Sequence, residues 1–188
     1  MRNSLSLILK KIVKCAEKCK IKIVFIGGIA VSYFSIPRAT YDIDGIVSWE
    51  DKKMKEFIKA LKKEGFKKQQ IKNLKEFLFV TFYHPRYRIY VDFFLATSEF
   101  QKTILRRAKK VKIDKTDLFI ASCEDLILLK LLVQREKDLE DVRELIKENK
   151  ESLDFLYLNK WAKLLGVEFF LKDEIRSLNL KNKREGEK

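Results

Sequence analysis

The stretch Phe25-Ile-Gly-Gly-Ile-Ala-Val-Ser-Tyr-Phe-Ser-Ile-Pro-Arg-Ala-Thr-Tyr-Asp-Ile-Asp44 runs from an apolar strand through paired glycines into two carboxylates, and its reading decides the fold. Just upstream, Ile21-Lys-Ile-Val-Phe-Ile26 is rich in β-branched and aromatic residues and reads as a strand. Ile29 to Phe34 is apolar enough for one or two buried helical turns. Gly27 and Gly28 stand at the junction, where the missing side chains let backbone N–H groups approach a phosphate beside a helix N-terminus. Such a pair also fits a plain strand-to-helix turn. Pro37 holds Ile36 extended, and Arg38 follows in the turn, placed either to contact phosphate or to anchor the loop to a carboxylate.

Asp42-Ile43-Asp44 sharpens the reading. Alternate side chains of a strand point the same way, so both aspartates emerge on one face with Ile43 packed beneath. Like charges held that close repel, and a divalent cation is the usual means of neutralising them; a solvated strand end is the plainer alternative. A third carboxylate, Asp92, is the only acid in the apolar strand Arg88-Ile-Tyr-Val-Asp-Phe-Phe-Leu95. An aspartate in such a run is costly to bury unless it is hydrogen-bonded or bound to metal. Three carboxylates converging from neighbouring strands make a site for a hard ion, Mg²⁺ or Mn²⁺.

Gly27-Gly28, Ala30, Arg38, Thr40, Asp42-Ile-Asp44 and the later Asp92 together resemble the signature of the nucleotidyltransferase fold of the polymerase-beta superfamily. A second block, Ala121-Ser-Cys-Glu-Asp-Leu-Ile-Leu-Leu-Lys130 followed by Arg135 and Lys137-Asp-Leu-Glu-Asp141, resembles the helical segment of its minimal, AbiEii-toxin-like branch. Ser35 and Gly45 depart from the pattern, where glycine and an aliphatic residue are usual. The resemblance, over roughly residues 21 to 146, implies an α/β fold with a mixed β-sheet flanked by helices and a helical C-terminal extension. It implies Asp42, Asp44 and Asp92 as catalytic, metal-holding residues, and Gly27, Gly28, Arg38 and Lys130 as contacts to a nucleoside triphosphate. It further implies a tRNA or other RNA acceptor and an antitoxin partner.

Composition sets the bounds. The chain has 188 residues, of which 46% are hydrophobic, enough for one good core. No apolar run approaches the ~20 residues of a membrane span, and the N-terminus lacks a signal-peptide core, so a soluble cytoplasmic protein is expected. Net charge is +14, with 41 Lys and Arg against 27 Asp and Glu, which suits polyanions and triphosphates as well as a solvated lysine-rich surface. Cys15, Cys19 and Cys123 form no Cys-x-x-Cys pair and are expected to be reduced.

Helical spacing marks residues 4 to 19 and the stripe Met54, Phe57, Ile58, Leu61, which ends near Gly65. Phe77 to Phe82 and Arg88 to Leu95 read as antiparallel strands joined around His84-Pro85. His84, the only histidine, is expected as a turn residue, with a general base as its sharper alternative. A helix over 98–108 ends in the basic run Arg106, Arg107, Lys109, Lys110; one or two short strands lie within 111–120. Ser122 caps a helix, apolar nearly all round, in which Lys130 stands out; its amine either extends to solvent or reaches an anion. Asp138 and Asp141 are placed to pair with Arg135 or Lys137. Domain organisation reads as one domain over 1–178, with a core over about 1–120, a helical part over about 121–178, and a disordered tail over 179–188.

The expected activity is transfer of a nucleoside monophosphate from an NTP to a hydroxyl acceptor by a two-metal scheme. Its rivals are a degenerate module that binds nucleotide or RNA without turnover, and a small-molecule transferase of the antibiotic-modifying type.

Overall fold

The computed structural model describes residues 2–37, 40, 42–48, 50–74 and 77–185. In chain order the elements are α1 (Arg2–Lys18), β1 (Ile23–Ile26), α2 (Gly27–Phe34), β2 (Asp42–Val47), α3 (Asp51–Lys63), β3 (Lys67–Leu74), β4 (Phe77–His84) and β5 (Ile89–Leu95). They continue with α4 (Glu99–Arg107), β6 (Lys109–Ile113), β7 (Thr116–Ile120), α5 (Cys123–Val133), α6 (Glu136–Asn149), α7 (Phe155–Leu164) and α8 (Glu168–Glu185). This is the mixed α/β fold expected from the sequence.

Contacts divide the chain into two compact units, one of Met1–Ala30 with Arg38–Ala121 and one of Val31–Pro37 with Ser122–Lys188. The first holds a seven-stranded sheet in the order β3-β4-β5-β2-β1-β7-β6. β1 pairs antiparallel with β2 and parallel with β7, while β2 pairs parallel with β5, which carries the antiparallel neighbour β4. The strand alternation sorts side chains by face. Ile43, Val47, Val91, Phe93 and Leu95 are buried on the side where α3 packs, with Phe57 of α3 against Phe93 at 5.4 Å between ring centroids. Phe82 meets the same Phe93 ring at 5.9 Å, so Phe93 is the hub of this layer and its truncation to alanine would cost about 3–5 kcal/mol. Gly45 shares that face because a Cβ there would lie 2.9 Å from the Ile23 side chain, and Ile23 and Phe93 fill the room instead.

In the second unit Ser122 caps α5, accepting from the Asp125 amide, as the sequence predicts. Asp125 is fully buried but satisfied, since Ser122 donates to its Oδ2 at 2.9 Å and the Tyr157 hydroxyl to its Oδ1 at 2.5 Å. Glu174 of α8 takes a charge-assisted hydrogen bond from Arg143 of α6 at 2.6 Å. The backbone of α8 continues to Glu185, past the expected end at 178, because the Lys, Arg, Leu and Glu residues there are good helix formers. Residues 186–188 lie outside the described residues. Among the described residues no helix is long and apolar enough to cross a membrane. Among the described residues Cys15, Cys19 and Cys123 are buried and form no disulfide, and burial raises the thiol pKa of Cys15 and Cys19.

His84 ends β4 as a buried residue rather than an open turn residue. Its ring covers Gly65, whose φ of +94° suits glycine, and packs edge-on against Phe66. Nε2 donates to the Glu64 carbonyl at 3.2 Å, and the buried Nδ1 has no partner among the described residues. Burial, reinforced by Lys11 and Arg86, lowers the His84 pKa below its ordinary value of 6.5 against the opposing pull of the Glu64 carbonyl. The unfolded chain therefore takes up this proton first as pH falls. Stability from His84 is complete above about pH 7 and is lost as pH drops from the unfolded value through the lower folded one. Denaturant melts at pH 7 and pH 5 should show this loss in the wild type and a smaller one in His84→Gln.

Candidate active site

Asp42 and Asp44 lie on β2 with Ile43 between them at 0% exposure, the arrangement that strand alternation predicts. The register of β2 against β5 adds the third acid. Asp44 is directly opposite Asp92 on neighbouring parallel strands, and Asp42 is opposite Tyr90. Partners in register point to the same face, so all three carboxylates share the face turned away from α3. Asp42 is exposed, whereas Asp44 and Asp92 are half-buried. On its other side Asp92 is opposite Thr81 of β4.

The glycine pair is built against this cluster. Ile26 of β1 is opposite Asp44, which brings the next residue, Gly27, beside that carboxylate. A Cβ on Gly27 would sit 2.2 Å from Asp44 Oδ2, and Gly27 has φ of +65°, so glycine is required twice over. A Cβ on Gly28 would meet Thr40 Oγ1 at 2.6 Å. That hydroxyl donates to the Asp42 carbonyl at 3.1 Å, tying the approach to β2 onto the first turn of α2. Paired glycines thus bring a helix N-terminus, with its unpaired N–H groups, next to the aspartates.

By chemistry the three carboxylates fit a hard divalent ion: they are anionic oxygen donors on one face, with no soft ligand among them. Among the described residues no group of three or more His, Cys, Asp or Glu stands already gathered around an ion position. Asp42 is exposed and unconstrained by packing, so the set is one of correct kind and face rather than a closed cage.

Arg38 lies outside the described residues. Lys130, only 9% exposed on α5, ends on two carboxylates, Asp138 Oδ1 at 2.9 Å and Asp141 Oδ2 at 2.6 Å. Arg135 joins them, its Nε donating to Asp138 Oδ2 at 2.6 Å, as its spacing predicts. Burial works to raise the Asp138 pKa, and the hydrogen bonds from Arg135 and Lys130 outweigh it, holding the carboxyl below the usual aspartate range. Of the two expectations for the Lys130 amine, it reaches an anion rather than solvent, and the anions are side chains of α6. Asp138 and Asp141 were legible as an ion-pairing couple, but their partner eight residues before Asp138 was not.

Sequence reasoning also passed over Tyr83 and Tyr90. They face each other across β4 and β5 with ring centroids 4.7 Å apart, on the carboxylate face and beside Asp42. The signal was present in Tyr83-His-Pro-Arg-Tyr-Arg-Ile-Tyr90, where aromatic and basic residues interleave.

The family described as "Nucleotidyltransferase of unknown function (DUF6036)" matches residues 4–183. The chain belongs to this family of nucleotidyltransferases. Among curated protein sequences, none matches. Several solved structures share the fold. The crystal structure of ANT(2")-Ia in complex with adenylyl-2"-tobramycin aligns over 90% of this chain and 99% of its own, at 12% identity and a TM-score of 0.63. An antigenic nucleotidyltransferase-like protein from Paracoccidioides brasiliensis aligns over 93% of both chains at 16% identity and a TM-score of 0.58. The lincosamide antibiotic adenylyltransferase LnuA, lincomycin-bound, aligns over 77% of this chain and 96% of its own at 16% identity and a TM-score of 0.53.

Two substitutions probe this geometry. Gly27→Ala should cost about 1–2 kcal/mol from the left-handed backbone alone and displace the Asp44 carboxylate, so transferase activity should fall by far more than stability. Lys130→Ala should lower stability by about 3–5 kcal/mol, because it removes the cation that two buried aspartates share. A Lys130→Ala protein with an unchanged denaturation midpoint and a raised KM for nucleotide would instead make Lys130 a substrate contact.

Proposed function

We propose that the chain moves a nucleoside monophosphate from an NTP to a hydroxyl acceptor, with Asp42, Asp44 and Asp92 as its catalytic carboxylates and Mg²⁺ or Mn²⁺ as cofactor. The observation that carries this reading is the direct register of Asp44 against Asp92, with Asp42 on the same face and Gly27 packed on the Asp44 carboxylate. The three aspartates would hold the ions, which when bound supply neutralisation of the phosphate oxygens and a lowered pKa for the acceptor hydroxyl.

The chain's own groups do the rest. Gly27 and Gly28 admit the triphosphate to the N-terminus of α2, whose N–H groups bind phosphate oxygens, and Arg38 offsets further charge. Asp92, between Asp44 and Thr81, orients the acceptor hydroxyl and takes its proton as the oxygen attacks the α-phosphorus. The bond from that phosphorus to the bridging oxygen breaks, and pyrophosphate leaves.

The acceptor favoured here is tRNA or another RNA, because a protein of net charge +14 attracts a polyanion and repels a cationic drug. The likeness to ANT(2")-Ia over nearly its whole length supports a second reading, a small-molecule hydroxyl as acceptor. A toxin role with an antitoxin partner rests on the resemblance of residues 121–141 to the AbiEii-like branch.

Incubation of the protein with each α-labelled NTP, Mg²⁺ or Mn²⁺ and total RNA tests the reading. Label should pass to RNA with the wild type. Asp44→Asn, which removes a charge at constant volume, should abolish transfer while keeping the fold, with stability equal or slightly raised by relief of repulsion. Wild-type turnover by Asp44→Asn would refute the carboxylate assignment.

A further inference from the structure

We infer that the β4–β5 hairpin beside Asp42 is a subsite for the single-stranded end of a nucleic acid acceptor, with Tyr83 and Tyr90 stacking a base and Arg86 and Arg88 holding flanking phosphates. This names the acceptor class for the transfer proposed above and rests on that reading.

The tyrosine pair lies next to the carboxylates. Tyr90 is the register partner of Asp42, and it lies two residues before Asp92 on the same strand and face. Tyr83 is its partner on β4, and the two rings lie at 4.7 Å and 37°. The Tyr90 backbone stands one strand spacing, about 5 Å, from that of Asp42, so a base stacked on the pair is held on the same face as the carboxylates and next to them.

Tyr90 is 49% exposed although it sits in the middle of a sheet whose opposite face is closed by Val91 and Phe93. A tyrosine pair offers an apolar surface that costs little side-chain entropy to use, and every base has a ring face to place on it.

The hairpin tip, Pro85-Arg86-Tyr87-Arg88, exposes both arginines, with the Arg86 guanidinium 5.7 Å from the centre of the Tyr87 ring. Tyr87 and Arg88 both donate their amides to the His84 carbonyl, which fixes the turn. Arg88 has φ of +54°, a conformation that glycine or asparagine takes more readily. Arg88 thus stands at a position whose backbone favours glycine, at the end of the sheet that carries Tyr90 and Asp42. Arginine beside exposed aromatic rings is the pairing that binds single-stranded nucleic acid: stacking for the base, a planar cation for the phosphate. A duplex keeps its bases stacked internally and cannot use such a platform.

The experiment is fluorescence anisotropy of a short fluorescein-labelled single-stranded oligoribonucleotide with the full chain across a salt series, without NTP or divalent ion. Tyr90→Ala should weaken binding about tenfold, and Tyr90→Phe should restore it, since stacking needs the ring and not the hydroxyl. Arg88→Gly should reduce the slope of log K against log salt by about 0.7, the share of one phosphate contact on a single strand, with an unchanged or higher melting temperature. The inference is overturned if Tyr90→Ala binds like the wild type, if a duplex of the same sequence competes as well as the single strand, or if Tyr90→Ala raises only the KM for NTP. A protein that transfers to a small molecule yet ignores the oligonucleotide would also sink it and leave the transfer chemistry standing. Binding through Tyr90 by a chain with no transferase activity would do the reverse.

Discussion

Repulsion between carboxylates is the constraint around which the first unit is arranged. Asp44 and Asp92 are held opposite one another on adjacent parallel strands, with Asp42 on the same face. Side chains in register on adjacent strands stand about 5 Å apart, where two unit charges repel by a few kcal/mol at the dielectric of a protein surface. A fold gains nothing from that arrangement by itself. The surrounding residues nevertheless enforce it: Ile43, Val91 and Phe93 anchor both strands from the opposite face, so neither aspartate can leave without disturbing the core. Stability lost locally at a site and recovered in the packing behind it is the pattern expected of a site selected for chemistry.

The glycine pair shows the same logic at the backbone. Gly27 takes a left-handed conformation with its Cα against the Asp44 carboxylate, and Gly28 leaves room for Thr40. Both contacts draw the start of α2 towards the acids, so positive helix terminus and negative side chains are adjacent. A triphosphate with its counter-ions has this alternating polarity, and the proposed function uses both motifs together on that ground. Elsewhere buried charge is handled differently. Around Lys130, two aspartates and an arginine settle each other's charge internally, and that cluster needs no ligand to be stable.

Much of this was legible in the sequence because the relevant signals are local. Strand alternation placed Asp42 and Asp44 on one face, an acid in an apolar run singled out Asp92, and helical periodicity and the Ser122 cap located the helices. What was not legible depends on pairing between distant segments. Nothing in residues 42–47 or 89–95 states that they lie side by side with Asp44 opposite Asp92. The strand Lys67-Lys-Gln-Gln-Ile-Lys-Asn-Leu74 carries too few apolar residues to announce itself, and it forms because β4 offers it a partner. The partners of Lys130 were hidden for a related reason: a helix apolar all round gives no clue to which neighbour its one lysine meets. Arg38, assigned to the triphosphate by resemblance, is not among the described residues.

If the three aspartates form one divalent-ion site, thermal denaturation in rising Mn²⁺ will reveal it, because a ligand that binds only the folded chain raises its melting temperature by mass action. A concentration-dependent rise is expected for the wild type, lost in both Asp44→Asn and Asp92→Asn. A wild-type melting temperature indifferent to Mn²⁺, or an equal rise in the Asp92 variant, would contradict it.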